Sequence, residues 1–224
     1  FYSEDFSGLQ LRLLAIVTGD PVMRDIFINN GDMHSRTAFN VFCNNIYYRE
    51  DVTQECGYEL CESSASNAKK LSLAMYLKLR GKIPQLGLYR RFAKSINFGF
   101  AFSMAARTFA LSFIKKEWEF SEIESFITDN NLHSELSANL ANAGDAYSGL
   151  KTYYMKHRGL RRIAGLFNAT EAIAWLKEEN LFKRFEDIYG FEEVEKIYDA
   201  YAITAGEKIR ESFFDTYNGL QEYG

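Results

Sequence analysis

The sequence predicts a mainly α-helical protein. It contains only two prolines among 224 residues, and proline is poorly tolerated inside helices. Apolar residues recur at the three- and four-residue spacing of amphipathic helices through most of the chain. Beyond a short strand expected within residues 1–5, no stretch has a convincing β-strand pattern.

The first part of the chain predicts three helices in succession. Gly19 is a helix terminator, because glycine readily adopts the left-handed conformation that follows a last turn. Asp20 and Pro21 form a typical N-cap and first helical position. The expected helices run from Ser7 to Gly19, with Gln10 at capping-box spacing from Ser7, from Pro21 to about Asn29, and from about His34 to Phe42.

The rest of the chain predicts further helices separated by turns. Residues 44–62 lack a clear period and are interpreted as a loop with one short helix at most. Ser66–Leu79 is expected to be a helix with a basic face, and residues 81–87 a connection. Later helices are expected near 88–102, 105–116, 121–129, 134–142, 146–156, 168–178, 180–188, 191–201 and 204–217, with turns at 142–145 and 157–159.

Charge and cysteine content restrict the function classes. The net charge of −4 argues against a protein that wraps nucleic acid with an overall basic surface, and leaves a local basic patch open. Positive charge is nevertheless concentrated between Lys69 and Lys94, and no acidic residue lies between Glu62 and Glu117. The three cysteines lack paired metal-site spacing, which favours free thiols in a reducing compartment. No apolar run of about 18 residues is present, so we expect no membrane-spanning helix.

The helix expected at 88–102 carries a candidate binding face. Arg90, Lys94, Phe98 and Phe102 follow each other at four-residue steps, and such residues share one broad side of a helix. The two cations suit a triphosphate, and the two aromatic rings suit a base or sugar. The alternative is an ordinary helix with surface cations and core aromatics, which spacing alone does not exclude.

Three segments, in order, favour the first interpretation. Asp5-Phe6-Ser7-Gly8-Leu9-Gln10-Leu11-Arg12 resembles motif A of the DNA polymerase I-like (family A) DNA polymerases. Asp32-Met33-His34-Ser35 with Thr37-Ala38 resembles the segment that follows it, and Arg90-Arg91-Phe92-Ala93-Lys94-Ser95-Ile96-Asn97-Phe98-Gly99 resembles motif B, the helix of the fingers. Phe213-Phe214-Asp215-Thr216-Tyr217 through Tyr223 resembles a later fingers helix more weakly. Residues 43–87 and 105–203 have no recognisable counterpart and resemble insertions.

The resemblance implies a role for each matching residue. Asp5 would be catalytic and would bind two Mg²⁺ ions. Arg90 and Lys94 would hold the triphosphate of the incoming deoxynucleotide. The remaining implied roles are as follows: Phe98 packs on its sugar and base, His34 lies near its phosphates, Gln10 takes the place of a glutamate that excludes ribose, Phe102 stacks on the template base, and Arg12 and Asn97 support the site.

The sequence also departs from the family pattern. Phe98 stands where some relatives have tyrosine, which implies better rejection of dideoxynucleotides. Phe102 stands where the family usually has tyrosine, so the hydroxyl of that side chain is lost. Ser103 stands where the family has a glycine that eases the bend at the end of the helix. No His-Asp-Glu segment corresponding to motif C is present, so the second catalytic carboxylate is missing from this chain.

The implied fold is the helical fingers subdomain of a right-hand polymerase, with a residual palm strand at the N-terminus and a large helical insertion. The implied organisation is 1–42 for the edge of the palm and first fingers helices, 43–87 for an insertion with a basic helix, 88–104 for motif B, 105–203 for the helical insertion and 204–224 for a later fingers helix. The implied partners are primer-template DNA, a deoxynucleoside triphosphate and the remaining palm and thumb, in the cytoplasm of a bacterium or a phage-infected host.

Three functional interpretations remain open on the sequence alone. The chain is expected to be a fragment of a DNA-directed DNA polymerase that is inactive by itself. It is alternatively a natural subunit of a split polymerase, or a helical binding module that has lost the chemistry. Acidic residues such as Glu117, Glu119, Glu122 and Glu124 make a protein partner a better expectation than DNA for residues 105–203.

Overall fold

A computed structural model describes residues 8–157 and 169–223 and confirms a mainly helical chain. The described residues divide into two compact units: unit 1 holds those up to Ala105 and from Lys208 onward, and unit 2 holds those within Ala106–Glu207. No helix among the described residues combines the length and apolar character needed to cross a bilayer. The strand expected in residues 1–5 lies outside the described residues.

Unit 1 begins with three helices: α1 (Leu9–Thr18), α2 (Pro21–Ile28) and α3 (Met33–Phe42). Gly19 ends α1 with a φ of 68°, as predicted. Asp20 caps α2 by accepting a hydrogen bond from the Met23 amide at 2.8 Å, also as predicted. The start of α1 differs from expectation, because its N-cap is Gly8, without a side-chain capping bond. Ser7 itself lies outside the described residues.

A small antiparallel sheet follows α3 and corrects the prediction that this region lacks strands. The strands are β1 (Tyr47–Glu50), β2 (Tyr58–Cys61) and β3 (Lys69–Lys70), in the order β2-β1-β3. Asp51 and Gly57 close the β1–β2 hairpin, and Gly57 has a φ of 70°. Strands of four residues are too short to show a period of two above the background of the sequence.

The predicted basic helix Ser66–Leu79 is wrong for its first half. Asn67 has a φ of 59° and β3 pairs with β1, so α4 covers only Leu73–Leu79. Ser72 caps α4 by accepting a hydrogen bond from the Met75 amide at 3.3 Å. A side-chain cap defines the start of a helix more sharply than the apolar pattern did.

The next helix, α5 (Pro84–Ala101), begins four residues earlier than expected, with Pro84 in its first turn rather than in a connection. A hydrophobic core joins α3, α4 and α5 through the buried side chains of Ala38, Leu79, Leu86 and Ala93. Phe42 and Tyr89 stack against this core with ring centroids 5.0 Å apart. The shared core holds α5 against α3, which is where the candidate site lies.

Unit 2 is helical throughout its described part. Its elements are α6 (Ala106–Phe109), a π-helical turn (Ala110–Ile114), α7 (Lys115–Glu117), α8 (Phe120–Asp129), α9 (His133–Ala141), α10 (Asp145–His157), α11 (Ala169–Glu178), α12 (Phe182–Tyr189) and most of α13 (Phe191–Thr216). Gly144, with a φ of 76°, makes the predicted turn before α10. The turn predicted at 157–159 falls largely outside the described residues.

Helix α13 corrects the prediction of two helices separated near residues 202–203. It continues unbroken to Thr216, and a 3₁₀ helix (Asn218–Tyr223) follows it. Ala202, Ile203, Thr204 and Ala205 are all buried. A helical stretch that is buried on every side has no polar face, so it shows no amphipathic period.

The three cysteines are free, as predicted. Cys43 is buried, whereas Cys56 and Cys61 are partly exposed. Burial raises the pKa of the Cys43 thiol to about 12, which keeps it protonated and unreactive at neutral pH.

Candidate functional site

Asp32, at the N-terminus of α3, is the centre of the candidate site. Its Oδ1 atom accepts hydrogen bonds from the backbone amides of His34 at 3.1 Å and Ser35 at 3.4 Å. Its Oδ2 atom accepts from Ser35 Oγ at 2.8 Å, Arg80 Nη1 at 2.6 Å and Arg90 Nε at 2.7 Å. One carboxylate therefore caps α3 and also joins an arginine from the end of α4 to an arginine of α5.

These contacts determine the ionisation of Asp32. Partial burial raises the pKa of the carboxyl, but hydrogen bonds from Arg90 and Ser35 and the charges of Arg90 and Arg80 outweigh that effect. The pKa of Asp32 consequently lies well below its ordinary value. Asp32 is thus a fixed negative charge in the physiological pH range, and it orients two guanidinium groups.

The predicted row on α5 has its first three members on one exposed side of the helix. The Arg90 side chain is 42% exposed, Lys94 is exposed and Phe98 is 36% exposed. Within residues 8–157 and 169–223, the two Nη groups of Arg90 make no hydrogen bond, and the ammonium of Lys94 has no hydrogen-bond or ion-pair partner. Both cations are therefore available to an external anion.

His34 lies beside this row on α3. Its ring centroid is 6.1 Å from that of Phe98, and its Nδ1 atom is 2.7 Å from Nδ2 of the buried Asn97. Burial lowers the pKa of His34, and the charges of Arg90 and Lys94 lower it further, whereas Asp32 raises it. The structure thus brings His34, Arg90, Lys94 and Phe98 together, and their role in nucleotide binding stays a prediction.

A buried chain of hydrogen bonds within unit 1 connects Asn97 to Thr37 and Tyr217. Thr37 Oγ1 donates to Asn97 Oδ1 at 2.7 Å and lies 2.8 Å from the Tyr217 hydroxyl. Because Thr37 gives its proton to Asn97, Tyr217 donates to Thr37. Asn97 therefore supports His34, which agrees with its predicted supporting position, and Thr37 and Tyr217 extend that support.

Phe102 occupies a different position from the other members of the row. Helix α5 ends at Ala101, so Phe102 is the C-cap residue and is 55% exposed. Ser103 follows with a φ of 62°. The amides of Ser103 and Met104 bond to the carbonyls of Phe100 at 3.1 Å and Gly99 at 3.0 Å, which is a Schellman motif. Phe102 is accessible, and its role in template stacking stays a prediction.

The predicted residues of motif A are only partly described. Asp5 lies outside the described residues, so its catalytic and metal-binding roles stay predictions. Gln10 and Arg12 are exposed on α1, and the Arg12 guanidinium lies 4.8 Å from the centroid of the Phe27 ring of α2. That cation–π contact fits a supporting role for Arg12 in joining α1 to α2. The described residues contain no cluster of three or more His, Cys, Asp or Glu side chains suited to a metal ion.

Sequence reasoning assigned no role to three contributors to the site. Arg80 belongs to the basic cluster that the sequence shows, but its partner Asp32 is 48 residues away. Thr37 and Tyr217 are 180 residues apart and have no local signal of their contact. The weak resemblance of Phe213–Tyr217 to a fingers helix was the one indication that Tyr217 belongs here.

The assembled side chains form a positively charged cluster. Among the described residues, three cations, Arg80, Arg90 and Lys94, accompany one carboxylate, that of Asp32. Guanidinium groups form short, charge-assisted hydrogen bonds to phosphate oxygens. Phe98 adds an accessible ring beside the cations. The arrangement suits a ligand with a polyanionic end and an apolar, planar end.

Comparison with known proteins gives one weak and partial similarity. The chain is 33% identical over 95 residues to DNA polymerase I of Lactococcus lactis subsp. lactis (strain IL1403). The matched segment is 42% of this chain and spans only 10% of the length of that polymerase. No protein-family model matches the sequence, and no solved structure matches it. The similarity supports a polymerase-like relationship, with DNA polymerase I as the related protein.

Proposed function

We propose that this chain is the nucleotide-binding part of a polymerase I-like DNA polymerase, which adds deoxynucleotides to a primer on a DNA template. The observation that carries the proposal is the exposed row of Arg90, Lys94 and Phe98 on α5 beside His34 of α3. The partial similarity to a DNA polymerase I supports the same conclusion.

The charges of the row fit the triphosphate of an incoming nucleotide. A triphosphate carries several negative charges, and nucleotidyl transfer shifts more charge onto the leaving pyrophosphate. Fixed cations that are positioned before the reaction stabilise this charge without reorganising. Arg90 is held by Asp32 through Nε at 2.7 Å, so its two Nη groups are pre-oriented for phosphate oxygens.

Phe98 and His34 fit the rest of the nucleotide. Phe98 lies about two turns along α5 from Arg90, so a ligand whose phosphates contact Arg90 and Lys94 brings its sugar and base towards the Phe98 ring. The hydrogen bond from Asn97 to Nδ1 leaves the proton of neutral His34 on Nε2. That N–H is a donor for a phosphate oxygen. We propose Gln10 as the residue that limits access of a ribose 2′-hydroxyl.

Magnesium is the cofactor that this function implies. Asp5 would hold it, since Mg²⁺ takes one or two carboxylates together with phosphate oxygens and water. Held by Asp5, the metal would supply activation of the primer 3′-oxygen and stabilisation of the leaving group. The second catalytic carboxylate would come from the palm, because this chain has no motif C. Primer-template DNA and the remaining palm and thumb are the corresponding partners, with Phe102 proposed to stack on the template base.

Binding of dATP with Mg²⁺ to the 224-residue chain tests this proposal. We expect Arg90→Ala and Lys94→Ala each to weaken binding by about tenfold or more, the effect of losing one charge-assisted hydrogen bond. Lys116→Ala is the matched control, because Lys116 is an exposed lysine of unit 2. Absence of dATP binding by the wild-type chain, or equal binding by all variants, would contradict the proposal. Primer extension is expected only when a palm with motif C is present.

A further inference from the structure

We propose that Arg80 is a further phosphate-binding residue of this nucleotide site. It would contact the same triphosphate as Arg90, so the inference rests on the proposed function. Arg80 lies within residues 43–87, the segment for which the polymerase resemblance offers no counterpart. The inserted segment would therefore contribute directly to substrate binding.

The position of Arg80 is fixed by buried neighbours. Its amide bonds to the Tyr76 carbonyl at 2.8 Å, at the C-terminal end of α4. Tyr76 and Leu79 are fully buried, and the Tyr76 hydroxyl donates to the carbonyl of Leu86 in α5 at 3.0 Å. The end of α4 is thereby attached to the first turns of α5, the same helix that carries Arg90.

The side chain of Arg80 is held just as firmly. A single nitrogen, Nη1, donates to Asp32 Oδ2 at 2.6 Å and to Ser35 Oγ at 2.7 Å. The remaining nitrogens, Nε and Nη2, have no hydrogen-bond partner among the described residues. The side chain is 31% exposed, and neither nitrogen is a buried unpartnered atom, so both donors retain surface that a ligand can reach.

The charge balance favours a bound anion. Arg80 and Arg90 both bond to one oxygen of Asp32, so their guanidinium groups lie side by side. Among the described residues, Asp32 is the one carboxylate that bonds to either guanidinium group, and it neutralises only one of the two charges. Two guanidinium groups that share one carboxylate oxygen are close enough for their positive charges to repel each other. A polyphosphate that contacts both guanidinium groups relieves that repulsion, and forked donors of this kind match phosphate oxygens.

A role through Asp32 alone is the competing explanation. Arg80 would then act as a positioning residue that orients Asp32, and Asp32 would orient Arg90. A double-mutant cycle separates the two roles. If Arg80 contacts phosphate directly, its removal weakens binding even when Arg90 is already alanine. If it acts only through Arg90, the second substitution has no further effect.

The experiment measures dATP and dAMP binding, with Mg²⁺, to the 224-residue chain and its variants. We expect Arg80→Ala to weaken dATP binding about tenfold, dAMP binding much less, and Arg80→Lys to restore part of the loss. We expect a further loss of severalfold when Arg80→Ala is added to Arg90→Ala. Lys82→Ala is the matched control, because Lys82 is an exposed cation close to Arg80 in the chain. Thermal unfolding of each variant checks that the fold persists.

The outcomes distinguish this inference from the proposed function. If the wild-type chain does not bind dATP, the proposed function fails and this inference fails with it. If Arg90→Ala weakens binding and Arg80→Ala does not, only the role of Arg80 is overturned. That role is also overturned if Arg80→Ala has no effect in the Arg90→Ala background, or if it weakens dAMP binding as much as dATP binding.

Discussion

The side-chain amide of Asn97 donates a hydrogen bond to Nδ1 of His34 at 2.7 Å. The orientation of the amide is determined from the other side, because Thr37 donates to Asn97 Oδ1 at 2.7 Å. An imidazole that accepts at Nδ1 carries its proton on Nε2. A buried chain of bonds therefore selects one neutral form of His34, and adding a second proton breaks the bond from Asn97.

This relationship predicts a pH dependence. The pKa of His34 is lowered by burial and by the charges of Arg90 and Lys94, so below about pH 6.5 the unfolded chain binds more protons than the folded one. The free energy of unfolding then falls as the pH falls, from pH 6.5 down to the folded pKa, by at most about 1.4 kcal/mol per unit and by less where solvent screens the site. We expect His34→Gln to remove this dependence.

Nuclear magnetic resonance measures the protonation of His34 directly. In a pH titration of the imidazole resonances, His34 should gain its proton below about pH 6.5. His133→Gln serves as the control for stability, because His133 is exposed in unit 2 and its removal should leave the His34 contribution in place. A His34 resonance that titrates at or above about pH 6.5, the ordinary value for histidine, would contradict this interpretation of the site.

Local signals in the sequence predicted those parts of the fold that local interactions determine. Gly19 ends α1 and Asp20 caps α2 through contacts within four residues. The shared side of Arg90, Lys94 and Phe98 on α5 likewise follows from helical spacing alone, whereas Phe102 lies beyond the end of the helix. The sheet was missed because its strands are short, and the continuity of α13 was missed because its middle is buried on all sides.

Only part of the candidate site could be predicted from the sequence, for a related reason. Resemblance identified Arg90, Lys94 and His34, whose positions are matched within contiguous motifs. It assigned no role to Arg80, and none to Thr37 although Thr37 lies in a matched segment, because their contacts depend on how α3, α4 and the end of α13 pack together. A contact between residues that are far apart in the chain is a property of tertiary packing, which a single sequence does not display.

Ser103 provides a second prediction, on stability. It adopts a φ of 62° as the left-handed residue after α5, a conformation that costs an ordinary residue about 1 kcal/mol relative to glycine. We expect Ser103→Gly to stabilise unit 1 by about 0.5–1 kcal/mol. Amide hydrogen exchange at Met104, whose N–H bonds to the Gly99 carbonyl at 3.0 Å, should slow accordingly.

The control substitution, Ser95→Gly, is expected to change stability in the opposite direction. Ser95 lies in the interior of α5, where glycine is a poor helix former. Ser95→Gly should therefore destabilise the same helix by about 0.5 kcal/mol. If both substitutions to glycine destabilise unit 1, the strain assigned to Ser103 is absent.

Gly206 yields a third prediction, in unit 2. A Cβ atom at this position of α13 would lie 2.9 Å from Ala110 Cβ and 3.0 Å from the Ala106 carbonyl oxygen. Alanine normally stabilises a helix relative to glycine by about 1 kcal/mol, but here it forces two backbones apart. We expect Gly206→Ala to destabilise unit 2 by about 1–3 kcal/mol.

Tryptophan fluorescence during urea unfolding measures this effect, because both tryptophans, Trp118 and Trp175, belong to unit 2. Ser125→Ala is a suitable control, since Ser125 is an exposed residue within α8 and alanine there should stabilise slightly. Unchanged or increased stability of Gly206→Ala would show that α13 and the Ala106–Ala110 backbone are not in such close contact.

Asp20 connects two distant parts of unit 1 and gives the last prediction. It is fully buried, and while Oδ1 caps α2 at Met23, Oδ2 accepts the Gly219 amide at 2.8 Å, 199 residues away. Asp20→Ser keeps an N-cap oxygen but is too short to serve both amides, so a loss of about 1 kcal/mol is expected. Asp20→Ala removes both bonds and leaves two donors unsatisfied, so the loss should reach about 2–4 kcal/mol. Amide exchange at Met23 and Gly219 separates the contributions of the two hydrogen bonds. In Asp20→Ser, only the Gly219 amide should exchange faster than in the wild type. Equal acceleration at both amides would contradict this prediction, because it would show that the two hydrogen bonds are lost together.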